Sequence, residues 1–285
     1  DDNKQYTTLT VSSQKHIGVN FTTAELTMQL DDFAERVLKP RISQLAASID
    51  ADVANSFKYI GNSVGTPGTT PATSLVLLQA QQKLNENAAV MSPRYATVNP
   101  AANAALIEGM KGLFNPVSAI SKQFKNGMFG EGILGYDELN MSQSIKQFTT
   151  GSRAGTVTVS TSVTTEGSTS IVLTGLGSTV IKAGDVFTIA DCYAVNPQTR
   201  ESTGSLFQFV ALADVTASTT ASVTVPAMYS ASQALATVDA LPVSGKAVTF
   251  YGSASTQYPQ NLIYHRDAIT FATADLLMPQ GVDMA

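Results

Sequence analysis

The sequence predicts an α+β protein carrying an inserted antiparallel β-barrel block, and three observations predict it. An apolar stripe at helical spacing runs from Ile42 to Ile60, a period-two pattern starts at Gly155, and mixed character returns from Asn261 onward. Charge changes with the pattern. Residues 1–150 carry 25 charged side chains and residues 151–250 only 10, while 30 of those middle 100 are Ser or Thr. The shift begins at Thr149-Thr150-Gly151-Ser152, which marks the boundary.

Along the chain, Ile17, Val19 and Phe21 alternate, predicting a strand over 15–21. Thr22-x-x-Glu25 matches a helix capping box, yet Leu26, Met28 and Leu30 alternate. Residues 22–30 therefore read as strand, with a helix starting at Asp31 as N-cap. Pro40 ends that helix or opens the next. Ile42, Leu45, Ile49, Val53, Phe57 and Ile60 then line one face of a spine helix over 41–60, about 30 Å long at ~1.5 Å per residue. Gly61 supplies its stop.

A Gly/Thr/Pro loop (65–71) leads to a helix over 73–88, a strand at Tyr95–Val98, and a helix opened by Asn99-Pro100. A further helix is predicted over 116–126 and a strand from Tyr136 to Ser142. In the middle block Val157/Val159, Ile171/Leu173, Val186–Ile189, Phe207/Phe209, Val223/Val225 and Val248/Phe250 give about six short strands, punctuated by glycines. Ser232–Ala236 reads as a short helical piece.

Composition narrows the function classes. The chain has 285 residues, 44% hydrophobic and 14% charged, with mean hydropathy +0.07. That charge content is low against the ~25% of an average soluble chain and suits a surface buried against copies of itself. A net charge of −5 and pI near 5.0 argue against a basic nucleic-acid binder. The single cysteine, Cys192, excludes an internal disulfide framework and a multi-cysteine zinc site. No apolar run approaches the ~18 residues of a membrane span, and no signal peptide is visible. The opening Asp1-Asp2-Asn3-Lys4 and the closing Gly281–Ala285 predict a chain trimmed at both ends.

No motif carries catalysis. Gly130-Glu131-Gly132-Ile133-Leu134-Gly135 is a literal GxGxxG, but a helix precedes it and a strand follows, the reverse of the dinucleotide order, so it reads as a loop. Cys192 lies in an apolar strand, where a lone cysteine is a small buried hydrophobe. His16 and His265 are too few for a dyad or a zinc site, and Asp50 and Asp52 point to different faces of the spine helix. The Asn20 and Asn140 sequons read as chance. The sequence predicts no catalytic residue, no metal ligand and no cofactor.

Several stretches resemble the major capsid proteins of tailed bacteriophages with the Hong Kong 97 fold, in the Salmonella-podovirus coat-protein branch. They are Val19-Asn20-Phe21, Asp31-Asp32-Phe33-Ala34-Glu35-Arg36-Val37-Leu38-Lys39-Pro40, Arg94–Pro100, Ala183–Ile189, Ala194–Arg200, His265–Ala268 and Asp275–Pro279. They run in family order across most of the chain. The resemblance implies extended-loop return strands at 1–30, a peripheral domain with the spine helix at 31–65, and an axial domain at 66–149. An inserted β-barrel domain would follow at 150–257, with a return to the axial and peripheral domains at 258–285. A family N-terminal arm and C-terminal strand are missing.

It also implies a subunit that self-assembles through pentamers and hexamers into an icosahedral head shell around packaged DNA. Scaffolding and portal proteins would be its partners, contact with DNA would be non-specific, and no membrane would be involved. The protein would be made in the bacterial host cytoplasm and reside in the virion. Asp31, Asp32, Glu35, Arg36, Lys39 and Arg41 form the candidate inter-subunit charge cluster; the alternative is a solvated helix face. A tail or fibre component, or an enzyme with a β accessory domain, are the rival readings, weakened by the lack of repeats and of clustered titratable groups.

Overall fold

A computed structural model describes residues 8–11, 13–18, 34–110 and 130–274. The predicted strand at 22–30, the Asp31 N-cap and the helix at 116–126 lie outside the described residues. The chain divides into two compact units, one made of Asp1–Val53 with Asp267–Ala285, the other of Ala54–Arg266.

In the first unit a π-helical turn, Ala34–Leu38, runs into helix α1, Lys39–Ala54. Pro40 sits in the first turn, where its missing N–H breaks no helical bond. Of the predicted strand at 15–21, residues 15–18 are described and take no strand conformation. They run as a strap instead. Lys15 Nζ donates to the Ser48 carbonyl at 2.9 Å and to Ser48 Oγ at 2.6 Å, and forms an ion pair with Asp52.

The spine helix is shorter than its apolar stripe. At Ala54 the α-helix gives way to a 3-10 turn, Asn55–Tyr59, and Ile60 is extended (φ −104°, ψ 114°). The cause lies at Gly61, which does not act as a left-handed helix stop. It passes so close to the strand Ser202–Val210 that a Cβ there would lie 2.4 Å from the Gln208 carbonyl oxygen. Ser63 N and Ser63 O both bond the Gln208 side chain. Strand docking therefore sets where the helix ends. Phe57 is buried, packing edge-on against Phe148 at 5.3 Å.

The described residues of the second unit form two cores. Helix α2 (Ser74–Glu86), strand β1 (Arg94–Val98) and helix α3 (Pro100–Met110) are followed by β2 (Gly130–Ile133) and β3 (Tyr136–Met141). Asn99 caps α3, its Oδ1 accepting from Ala102 N at 3.1 Å with Pro100 at the first helical position. With β14 (Leu262–His265) the strands form a sheet of order β14-β1-β3-β2, in which β1 and β3 are parallel. Leu77, Ala96, Val98, Ala102, Leu106, Tyr136 and Leu139 fill its core. The GxGxxG segment is a hairpin rather than an open loop: Leu134 (φ 55°) and Gly135 (φ 79°) make a two-residue turn between paired Ile133 and Tyr136.

Strands β4 (Gln147–Thr149) and β13 (Gln257–Pro259) pair with each other. Between them in sequence lie β5 (Val157–Val159), β6 (Ser168–Thr174), β7 (Thr179–Ile181), β8 (Val186–Val195), β9 (Ser202–Val210), β10 (Val215–Ala217), β11 (Thr220–Met228) and β12 (Ala247–Phe250). Six of them form an antiparallel sheet of order β11-β6-β5-β12-β8-β9; β7 and β10 pair separately. Alternate residues from every strand of the six enter one core, including Val157, Ile171, Phe187, Phe209, Val223 and Val248. Pro226, which cannot donate to a ladder, sits in the outer strand β11. Ser232–Ala236 forms tight turns rather than the expected helical piece; five residues bury too little to nucleate one.

Strand β8 carries one irregularity with a chemical reason. Phe187 and Ile189 point inward, so strict alternation would send Asp191 into the core. Asp191 instead adopts φ 63° and the register with β9 shifts. The bulge turns Asp191 out to Lys246, 2.5 Å away, and brings Cys192 inside.

Candidate functional site

The charge cluster predicted from the sequence is partly described. Asp31 and Asp32 lie outside the described residues. Glu35 and Arg36 stand in the π-turn, and Lys39 and Arg41 in the first turn of α1; all four are exposed. Glu35 and Lys39 come together, four residues apart, at 3.9 Å. This spacing is the helical ion-pair geometry. The helix beneath them buries no residue, and two apolar side chains share the segment in water, Leu38 at 39% and Ile42 at 64% exposed. An amphipathic stripe normally lies against something. Here Leu45, Ile49 and Val53 are only half-buried.

Sequence reasoning missed two arginines. Arg153 is buried beside Asp185, Nη1 to Oδ1 3.7 Å, with side chains 4% and 0% exposed. Its guanidinium donates to the carbonyls of Tyr251, Gly252 and Ser253 at 3.1–3.4 Å and lies 4.9 Å from the Phe250 ring centroid. Asp185 accepts from Lys182 N at 2.9 Å and Gly151 N at 3.1 Å. Burial pushes its carboxyl above the usual 3.8, with Arg153 pulling the other way. The pair fastens the two chain crossings that flank the six-stranded sheet. Beside it Thr150 Oγ1 donates to the Ser253 carbonyl at 2.7 Å, Thr256 N returns a bond to Thr150 Oγ1 at 3.0 Å, and Ser255 N reaches the Gly151 carbonyl at 3.0 Å.

Arg94, 1% exposed, is the second. It donates through Nε to the Val90 carbonyl, Nη1 to Asn85 Oδ1 and Nη2 to the Ala89 carbonyl, all at 2.7–2.8 Å. The signal was its phase: Arg94, Ala96 and Val98 alternate inward together.

A cavity of about 590 Å³ opens between the 62–73 loop, α2 and the strand segment 258–263. Tyr251 crosses it to bond the Gly65 carbonyl. Lys83 is the only charged side chain among its described lining residues, so it presents no acid–base pair. Cys192, 1% exposed, donates to the Ala240 carbonyl at 3.3 Å, and burial pushes its thiol up to about 12. Among the described residues no group of His, Cys, Asp or Glu could hold a metal ion, and no helix is long and apolar enough to cross a membrane.

A family profile described as "P22 coat protein - gene protein 5" matches residues 6–284. The chain belongs to the P22 coat protein family. As a coat protein it is the major capsid subunit of a tailed-phage head shell; its role is structural, its partner is itself, and its place is the virion capsid. A solved chain titled "CUS-3 coat protein I-domain" is similar at 25% identity and TM-score 0.27, over 35% of this chain and 98% of that one. No curated protein matches the chain.

Proposed function

We propose that this coat protein builds an icosahedral head shell that encloses packaged DNA, using a Hong Kong 97-type fold with an inserted β-barrel. Residues 31–65 are its peripheral domain, 66–149 and 258–285 its axial and returning parts, 150–257 the barrel insert and 1–30 the extended-loop strands. The family match over residues 6–284 carries this reading. The alternating core of the six-stranded sheet and the paired crossings at β4 and β13 support an insert that leaves and returns at one place.

The shell works without a catalytic step. Each contact is weak, many per subunit add, and closure makes the collective hard to reverse. A low charge content lets many acidic copies pack, and 17 Lys and Arg against 22 Asp and Glu suit tolerance of DNA rather than readout. Scaffolding and portal proteins are the further partners, and synthesis takes place in the host cytoplasm. The segment carrying Asp31, Asp32, Glu35, Arg36, Lys39 and Arg41 contacts the neighbouring copy, which covers the stripe that α1 leaves in water.

Negative-stain microscopy of the full-length product tests the shell: closed particles support it, fibres or dispersed subunits overturn it. Arg36→Glu lowers particle yield while the subunit still folds, since Arg36 is already exposed. Unchanged yield removes the charge cluster from the contact.

A further inference from the structure

Between α2 and β1 the chain makes a seven-residue loop, Asn87-Ala88-Ala89-Val90-Met91-Ser92-Pro93, built more rigidly than a surface connection needs. Helix α2 closes with both bonds of a Schellman cap: Ala89 N donates to the Leu84 carbonyl at 2.9 Å and Ala88 N to the Asn85 carbonyl at 3.0 Å. Ala88 takes the left-handed backbone (φ 54°) that this cap usually reserves for glycine. The buried Arg94 guanidinium then grips the loop from inside through the Ala89 and Val90 carbonyls. On the far side Ser92 Oγ and Arg94 N both donate to the Asp137 carboxylate, and Arg266 N donates to the Pro93 carbonyl at 3.2 Å.

All this anchoring holds two apolar side chains in water. Val90 is 63% and Met91 73% exposed. A single exposed apolar residue needs no explanation. An adjacent pair on a loop whose backbone is fixed by a buried arginine is different, because the ordering entropy of docking has already been met in the free subunit.

We propose that loop 87–93 is a preformed docking knob whose Val90–Met91 tip seats against an apolar recess of a neighbouring copy of this chain. The inference rests on the shell reading above and adds the surface. The loop carries no charge, so the tip brings no like charge against a partner whose own net charge is −5. Met is also the side chain best able to fit a recess of irregular shape.

The test uses the full-length protein in two forms. Val90→Asp with Met91→Asp, at side chains already in water, leaves the unfolding midpoint at the parental value and cuts particle yield at least tenfold. Met91→Cys labelled with a benzophenone maleimide, with Cys192 buried and unlabelled, yields photoadducts joining two copies in assembled particles but not in dissociated subunits. Parental yield from the double variant, or adducts confined to one copy or to a different protein, overturns the knob while leaving the shell in place. Absence of particles from the parent itself overturns both.

Discussion

Replacing Arg153 by Met keeps the length of the side chain and removes its charge and donors. Asp185, with a side chain 0% exposed, then keeps its two backbone N–H partners but loses its counter-charge. The carbonyls of Tyr251, Gly252 and Ser253 lose the bonds that Arg153 supplied. Breaking a buried pair from one side costs ~3–5 kcal/mol. The 3.7 Å separation of the pair argues for the lower end, about 3 kcal/mol. For a folding unit the size of Ala54–Arg266 this lowers Tm by roughly 6–12 °C. The pH dependence has a definite sign. Burial holds the folded Asp185 carboxyl above its unfolded value, so the folded state takes up the proton first. That contribution to stability is complete below pH ~3.8 and is lost as pH rises through the folded value. Without Arg153 the carboxyl rises further, so the deficit of R153M against the parent shrinks on acidification. Urea unfolding of both proteins between pH 7.5 and 4.5, followed by near-UV circular dichroism, measures it. A deficit under about 1 kcal/mol at pH 7.5, or one constant across the range, refutes the reasoning.

Ala88→Gly relieves a left-handed alanine in the α2 cap and raises stability by about 1 kcal/mol, read as a higher urea midpoint. A lower midpoint counts against the cap assignment. Cys192, with its thiol pushed to about 12, stays unreactive toward a maleimide at pH 8 in the native protein and reacts once urea unfolds it. Native-state labelling at the rate of a free thiol contradicts the burial.

The β-rich part was legible because period two survives any change of neighbour: Ile171/Leu173 and Val223/Val225 face inward as their spacing demands. Cys192 was correctly read as a buried hydrophobe, although the bulge at Asp191 that puts it there leaves no mark in a window of hydrophobicity. The spine helix was legible in its stripe and illegible in its end, because the end is set by Gln208, nearly 150 positions further along the chain. Arg153 and Asp185 escaped notice for a related reason. They stand 32 positions apart in a region read for its Ser and Thr, and only folding makes them a pair. Within the predicted charge cluster, Glu35 and Lys39 pair across one helical turn at the start of α1. Charge spacing along a helix is local information.

The clasp around Thr150, Arg153 and Thr256 bears on how such a subunit can change over generations. A segment of about a hundred residues departs and comes home through one doorway, and the frame on either side meets across it by its own ladder, β4 with β13. Enlarging, shrinking or exchanging what hangs beyond the doorway leaves the ladder that closes it in register.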